Sequence, residues 1–379
     1  MKERLLAPGP VAVPPPVLEA MAQPVFMHRG ERFRSLLLRV RERLAELACV
    51  PGEEVLVITG SGTAAFEAVL LATVPAGSKI VSVQAGKFGE RWGQMAERFG
   101  YLVVPLRFPW GRAADPEVLA RELERHPDAA AVTTTHSETS TGVLHDVEAL
   151  AITVRRAAPD ALVLVDAVTS LAASELRPLD WGLDAIVSGS QKGLMTPPGL
   201  GVAWLSERAW RSGERSRPPS YYLDLHKERR SQARGETAYT PAVNLVAGLD
   251  AALGMLLDEG VEQVWSRRTR LNEAVLAGGE AIGLIPYAQR VSPAVAALAV
   301  PTGIAAPDVV AALRHRGITI SGGQDEAKPV LLRPSVLGWA DEFDAITIVA
   351  ALEQALRELG RQVPPGAGVG AAMRVLEAA

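Results

Sequence analysis

Between residues 54 and 166 the chain alternates short, unbroken apolar runs with stretches in which apolar residues return at helical spacing. EVLVITG (54–60) predicts a strand, and the segment from Ser61 to Val74 predicts a helix that Pro75 and Gly77 end. KIVSVQAG (79–86) repeats the strand pattern and RWGQMAERFG the helix, with Gly100 at its C-terminus. YLVVPL, AAVTTTH and ALVLVDA supply three further strands, with helices expected at 115–125 and 146–157 between them. Apolar runs separated by helices indicate a parallel sheet buried on both faces.

The flanks of this unit differ from it. The first 16 residues are proline-rich and read as an extended surface segment, followed by an amphipathic helix over ERFRSLLLRVRERLAELA (31–48). Residues 210–240 are arginine-rich, proline-containing and irregular, whereas a long helix is expected from Val243 to Glu259, continuing after Gly260 to about residue 277. From about residue 290 a second α/β unit follows: AVAALAVP, ITISGG and PVLLRPSV as strands, PDVVAALRHRG and DEFDAITIVAALEQALRELG as helices. The tail from Gln362 reads as loose with a weak helical end, and no internal repeat is visible. The expected division is an N-terminal extended segment (1–20), a large domain (21–258), a small C-terminal domain (259–361) and the tail (362–379).

Composition narrows the function without naming it. A chain of 379 residues, 48% hydrophobic and 22% charged, is of ordinary globular type and long enough for two domains. A net charge of −4 gives no reason to expect nucleic acid or an anionic membrane as partner. One cysteine, Cys49, excludes an intramolecular disulfide framework and a multi-cysteine metal site. With no long apolar span, no apolar core near the N-terminus and no C-terminal address, the expected compartment is the cytoplasm.

The candidate chemistry sits at the predicted strand ends, where open parallel sheets bind ligands. Ser61, Gly62 and Thr63 open a helix whose free N–H groups suit a phosphate, although a plain N-cap accounts for the same residues. HSETSTGVLHD offers hydroxyls, with Thr139 among them; His136 and Glu138 are two metal-type ligands without a third, so no metal is expected. Asp166 closes the run ALVLV, and an acid at that depth either caps a helix or awaits a cation. Lys192 lies in SGSQKGLMTPPGLG, in a chain that has six lysines against 33 arginines. Alone it reads as a solvated loop lysine, yet only a lysine can form a Schiff base. An anion site, a hydroxyl loop, a buried acid and a rare lysine together are what pyridoxal 5′-phosphate needs for its phosphate, ring nitrogen and aldehyde.

At these residues the chain resembles the class V aminotransferases of pyridoxal-phosphate fold type I, and within them the alanine–glyoxylate and serine–pyruvate (serine–glyoxylate) branch. The resemblance runs through PGPVAVPPPVLEAMAQP, TGSGTAAFEA, GKFGERWG, HSETSTGVL, LVDAVTS, SGSQKGLMTPPGLG, ETAYTPAVN and VLLRPSVLGW. It implies a large domain with a mostly parallel, seven-stranded type of sheet and a smaller C-terminal α/β domain. It makes Lys192 the Schiff-base lysine and general base, with Gln191 beside it near the ring oxygen. Asp166 would pair with the ring nitrogen, Val168 and Phe88 would cover the two ring faces, and Thr139 would lie near the ring. Ser61, Gly62 and Thr63 would hold the phosphate, joined by Thr237 and Thr240 reaching across a homodimer. Arg333 would clamp the substrate carboxylate. Phe88 and Thr63 stand where animal members commonly have Trp and His, which leaves cofactor stacking intact and makes the amino donor less transferable.

The implied activity is a ping-pong transaminase that moves the amino group of alanine or serine to glyoxylate or pyruvate. A lyase on the same fold stays open, because the bond broken at Cα depends on orientation. So does a non-catalytic dimer acting as an assembly partner, although such a chain would be expected to lose Lys192 or Asp166. A cysteine desulfurase is set aside, since Cys49 follows a helix and precedes Val50-Pro51, where a mobile reactive loop does not fit.

Overall fold

The computed structural model describes residues 3–214 and 220–378. Seven strands form the main sheet: β1 (Val55–Thr59), β2 (Lys79–Gln84), β3 (Leu102–Arg107), β4 (Ala129–Thr135), β5 (Leu162–Asp166), β6 (Ala185–Gly189) and β7 (Leu200–Leu205). Their order is β1-β7-β6-β5-β4-β2-β3. All neighbours are parallel except β7, which runs antiparallel to both β1 and β6. Apart from the edge strand β3, which is largely exposed, the strands are apolar on both faces because both faces are covered. Val55 and Val57 enter one core and Leu56 and Ile58 the other, and Leu162 to Val165 alternate in the same way. Each such side chain contributes about 1.5–3 kcal/mol on burial.

Helix α1 (Glu31–Leu47), α4 (Pro116–Arg125), α5 (Val147–Ala157) and α6 (Val243–Glu259) supply the first core. Helix α2 (Gly62–Thr73) and α3 (Lys87–Arg98) supply the second, where Phe66 stacks on Trp92 with ring centroids 4.4 Å apart. The amphipathic pattern of residues 31–48 is used as expected, with Phe33, Leu36, Leu37, Val40 and Leu44 turned inward.

The second unit is a four-stranded antiparallel sheet of β8 (Ile285–Pro286), β9 (Leu298–Ala299), β10 (Ser321–Gly322) and β11 (Leu331–Arg333), in the order β8-β9-β11-β10. It packs with α7 (Val261–Ala281) and α8 (Glu342–Glu358) around its own core. No helix among the described residues is long and apolar enough to cross a membrane.

Three expectations need correction. The tail is not loose: α9 (Ala367–Glu377) lies against α7 and α8. Gly278 and Gly368 make that approach possible, since a Cβ on either would stand about 3 Å from the other's carbonyl oxygen (3.0 and 2.9 Å). Nor is the N-terminus extended throughout, because Pro15–Met21 is helical. Its first residues are also tied down rather than superficial: Arg4–Leu5 pairs with Ile318–Thr319, and Leu6, Ala7 and Val11 are buried. Finally, the irregular stretch 210–240 contains a helix over Leu225–Gln232; its residues 215–219 lie outside the described residues.

Candidate active site

Parallel pairing brings several chemically distinctive residues to one end of the main sheet. Asp166, the last residue of β5, pairs with Thr135 on one side and Val187 on the other. It is buried, and one carboxylate oxygen accepts the Val168 N–H at 2.8 Å. The other oxygen accepts no hydrogen bond from the described residues. Burial pushes this carboxyl from 3.8 up to about 7; the charge of Glu138 adds to the rise, against the Val168 bond and Lys192.

Lys192 follows β6 in a loop held by Ser190, whose hydroxyl donates to the Pro197 carbonyl and accepts the Leu200 N–H. The lysine stem keeps some surface, but the amine is enclosed and donates to the Pro8 carbonyl at 2.6 Å. Gly9 lies so close that a Cβ there would fall 2.3 Å from Nζ. Burial lowers the Lys192 pKa to about 8; Asp166 opposes the shift, while Arg333 and Arg91 add to it. The lowered value leaves about a tenth of the amine free at pH 7, far more than an ordinary lysine offers a nucleophile or base.

Ser61 caps α2, accepting the Ala64 N–H at 3.3 Å. The N–H groups of Gly62 and Thr63 belong to the first turn and have no intrahelical acceptor. Gly62 seats this helix start in the site: a Cβ there would meet Val168 at 2.7 Å, and one on Gly189 would lie 2.9 Å from Gln191 Oε1. The Gln191 Oε1 atom is buried without a hydrogen-bond partner. Thr139 shares a 2.7 Å hydroxyl bond with Thr169. Phe88, on the first turn of α3, lies with its ring 4.9 Å from the Arg91 guanidinium.

Arg333 ends β11 and is buried, with its Nε donating to the Gly322 carbonyl and its Nη1 to the Thr139 carbonyl. No carboxylate forms an ion pair with it among the described residues. Burial lowers its pKa to about 10, and the charge of Glu138 opposes that shift. A guanidinium held by two carbonyls, with Nη2 unused, is set for an anion in its fork.

Thr237 and Thr240 are not brought to this group. They line a small recess along the edge strand β1, with Thr59, Tyr222 and Tyr239. Among the described residues, His136 and Glu138 included, no cluster of three ligating residues occurs. The Cys49 thiol is pushed up by burial, which makes it a poor nucleophile. Sequence reasoning passed over Pro8, Arg91 and the structural part played by Glu138. For Glu138 the available signal was an acid between an apolar strand and TSTG.

The donor set fits pyridoxal 5′-phosphate. The free helix N-terminus suits its phosphate, the open oxygen of Asp166 its ring nitrogen, the enclosed amine of Lys192 its aldehyde, and the orphaned Gln191 side chain its ring oxygen. The fold, with its seven-stranded sheet and one antiparallel strand, matches the structures of pyridoxal-phosphate-dependent aminotransferases.

The chain belongs to the class V aminotransferase family, whose profile, described as aminotransferase class-V, matches residues 7–339. It is similar to the crystal structure of an aspartate aminotransferase of subgroup IV from Thermus thermophilus, with 40% identity and a TM-score of 0.88 over 94% of this chain and 100% of that one. It is 39% identical to a protein called soluble hydrogenase, small subunit, from Synechococcus, over 100% of this chain and 99% of the relative. A serine–glyoxylate aminotransferase from Methylorubrum extorquens is 31% identical, over 99% and 96%.

Proposed function

We propose that the chain is a pyridoxal-phosphate-dependent transaminase that moves the amino group of alanine or serine to glyoxylate or pyruvate, both substrates using one site in turn. The observation that carries this reading is a set of three buried charged groups, Asp166, Lys192 and Arg333, each with unused bonding capacity at one sheet end. When bound, the cofactor supplies an electron sink for charge that builds at the substrate α-carbon. Asp166 would hold the ring nitrogen, Phe88 and Val168 would cover the ring, Gln191 and Thr139 would hold its edge, and Ser61, Gly62 and Thr63 would hold the phosphate. Lys192 would hold the aldehyde and serve as the base for the proton on the substrate α-carbon, and Arg333 would take the substrate α-carboxylate. One buried guanidinium for one carboxylate favours small monocarboxylic oxo acids as acceptors.

The working unit in this reading is a homodimer in the cytoplasm, divided at residues 20 and 258, with the tail belonging to the second unit through α9. The partner subunit's Thr237 and Thr240 reach the phosphate. Exposed Tyr221 and Tyr222 beside Thr237 support an interface there. A non-catalytic assembly subunit is disfavoured because an unused buried acid and amine would only destabilise the fold.

The test loads purified protein with pyridoxal 5′-phosphate and adds alanine, serine, aspartate and other amino acids one by one. The visible band should bleach with alanine or serine and return with glyoxylate or pyruvate. No bleaching with any amino acid removes the transaminase reading. Aspartate as best donor, or 2-oxoglutarate as best acceptor, removes the substrate assignment.

A further inference from the structure

Glu138 is a fully buried carboxylate that forms no ion pair among the described residues; neutral donors satisfy it instead. Its Oε2 accepts the N–H groups of Phe88 and Gly89 at 3.1 and 2.9 Å, and its Oε1 accepts the Ser140 N–H and hydroxyl at 3.2 and 2.5 Å. The Ser140 hydroxyl also accepts the Lys87 N–H at 3.0 Å. The first three N–H groups of α3, which no intrahelical acceptor can reach, are thus capped from another strand end. The helix has no cap of its own, because its N-cap residue is Gly86. A Cβ there would lie 2.6 Å from Glu138 and 2.5 Å from the Ser140 hydroxyl.

Between these two residues stands Thr139, whose carbonyl receives Arg333 and whose hydroxyl bonds Thr169, three residues beyond Asp166. One short segment therefore sets the start of the helix that carries Phe88, one of the two carbonyls that orient Arg333, and the loop after Asp166. Gly86 is itself buried and leaves no room for a capping side chain of its own, so the donors of α3 depend on this neighbouring segment.

We propose that Glu138 is a positioning residue that seats the ring-stacking Phe88 and the carboxylate-binding Arg333 in fixed relation to each other. This rests on the transaminase reading above. Glu138→Gln keeps the size but turns one acceptor oxygen into an NH2 group facing backbone N–H donors.

Two readouts test it: titration of cofactor-free protein with pyridoxal 5′-phosphate, followed by tryptophan fluorescence, and steady-state kinetics of both half-reactions. In Glu138→Gln the cofactor should bind about 10-fold more weakly and KM should rise about 10-fold for donor and acceptor alike, with kcat within about threefold. A merely structural acid would change the unfolding midpoint and leave both readouts at wild-type values per folded molecule. That outcome, or a fall in kcat alone, overturns the proposal. Should Glu138→Gln not fold, Ser140→Ala decides: a change of about threefold in the same two readouts supports the role, and wild-type values overturn it. If wild-type protein itself takes up no pyridoxal 5′-phosphate, the transaminase reading fails instead.

Discussion

Replacing Asp166 by Asn separates what the carboxylate does for the site from what it costs the fold. Burial lifts its ionisation from 3.8 to about 7, so between those values the folded chain keeps a proton that the unfolded chain releases. The folded state is favoured at low pH, and this contribution is lost as pH rises through about 7. At about 1.4 kcal/mol per pH unit, the carboxylate weakens the cofactor-free protein by about 2 kcal/mol at pH 5 and about 4 kcal/mol at pH 8. Asparagine can still accept the Val168 N–H, and the attraction to Lys192 is already contained in the shifted value. Cofactor-free Asp166→Asn should therefore gain stability over wild type, by about 2–3 kcal/mol more at pH 8 than at pH 5. Urea denaturation of both proteins at both pH values measures this as a double difference, in which groups common to the two chains cancel. With cofactor bound, the same variant should lose turnover by about 10²–10³. Equal stability differences at the two pH values would refute the electrostatic reasoning, and wild-type turnover would reduce Asp166 to a helix cap.

Lys192→Ala should bind the cofactor without a covalent link, lose the visible band on gel filtration, and fall in turnover by about 10²–10⁴ or more; a retained band after denaturation would place the link elsewhere. Arg333→Lys keeps the charge and loses the fork, so kcat/KM should fall by about 10- to 150-fold in both half-reactions. A loss confined to one half-reaction would separate the two carboxylate sites. Thr240→Ala should weaken cofactor binding by about 5- to 30-fold, and dilution to monomers should do the same. A chromatographic monomer with wild-type affinity would contradict a shared site.

Strands β1 to β5 were legible as short apolar runs between helices, whereas β6 and the antiparallel β7 were not named as strands from the residues. The site was legible where residue type is distinctive: a lysine in an arginine-rich chain, an acid behind ALVLV, and glycine at a helix start. The tail was misread because VPPGAGVGAA has the composition of a linker. Its glycines serve instead to bring α9 onto α7, a contact that appears only with both helices in view. Glu138 escaped for a related reason. Its partners are backbone N–H groups about 50 residues away, and backbone donors carry no sequence signal. Thr237 and Thr240 were expected near a phosphate, and a single chain does not place them there.

The segment over Lys192 also constrains the order in which this protein can be completed. Residues 4–11 leave the ribosome before all of their partners, which are Gln191 and Lys192, then Gly317 and Thr319, then Ser335. A nascent chain released as far as β7 has every strand of the main sheet and still lacks the far anchorage of its own beginning. Pro8 and Val11 can meet Lys192 and Gln191 once β6 is out, but Arg4 and Leu6 have no partners until about nine-tenths of the chain has emerged. The roof of the site is thus fastened in two stages, its inner end early and its outer end late.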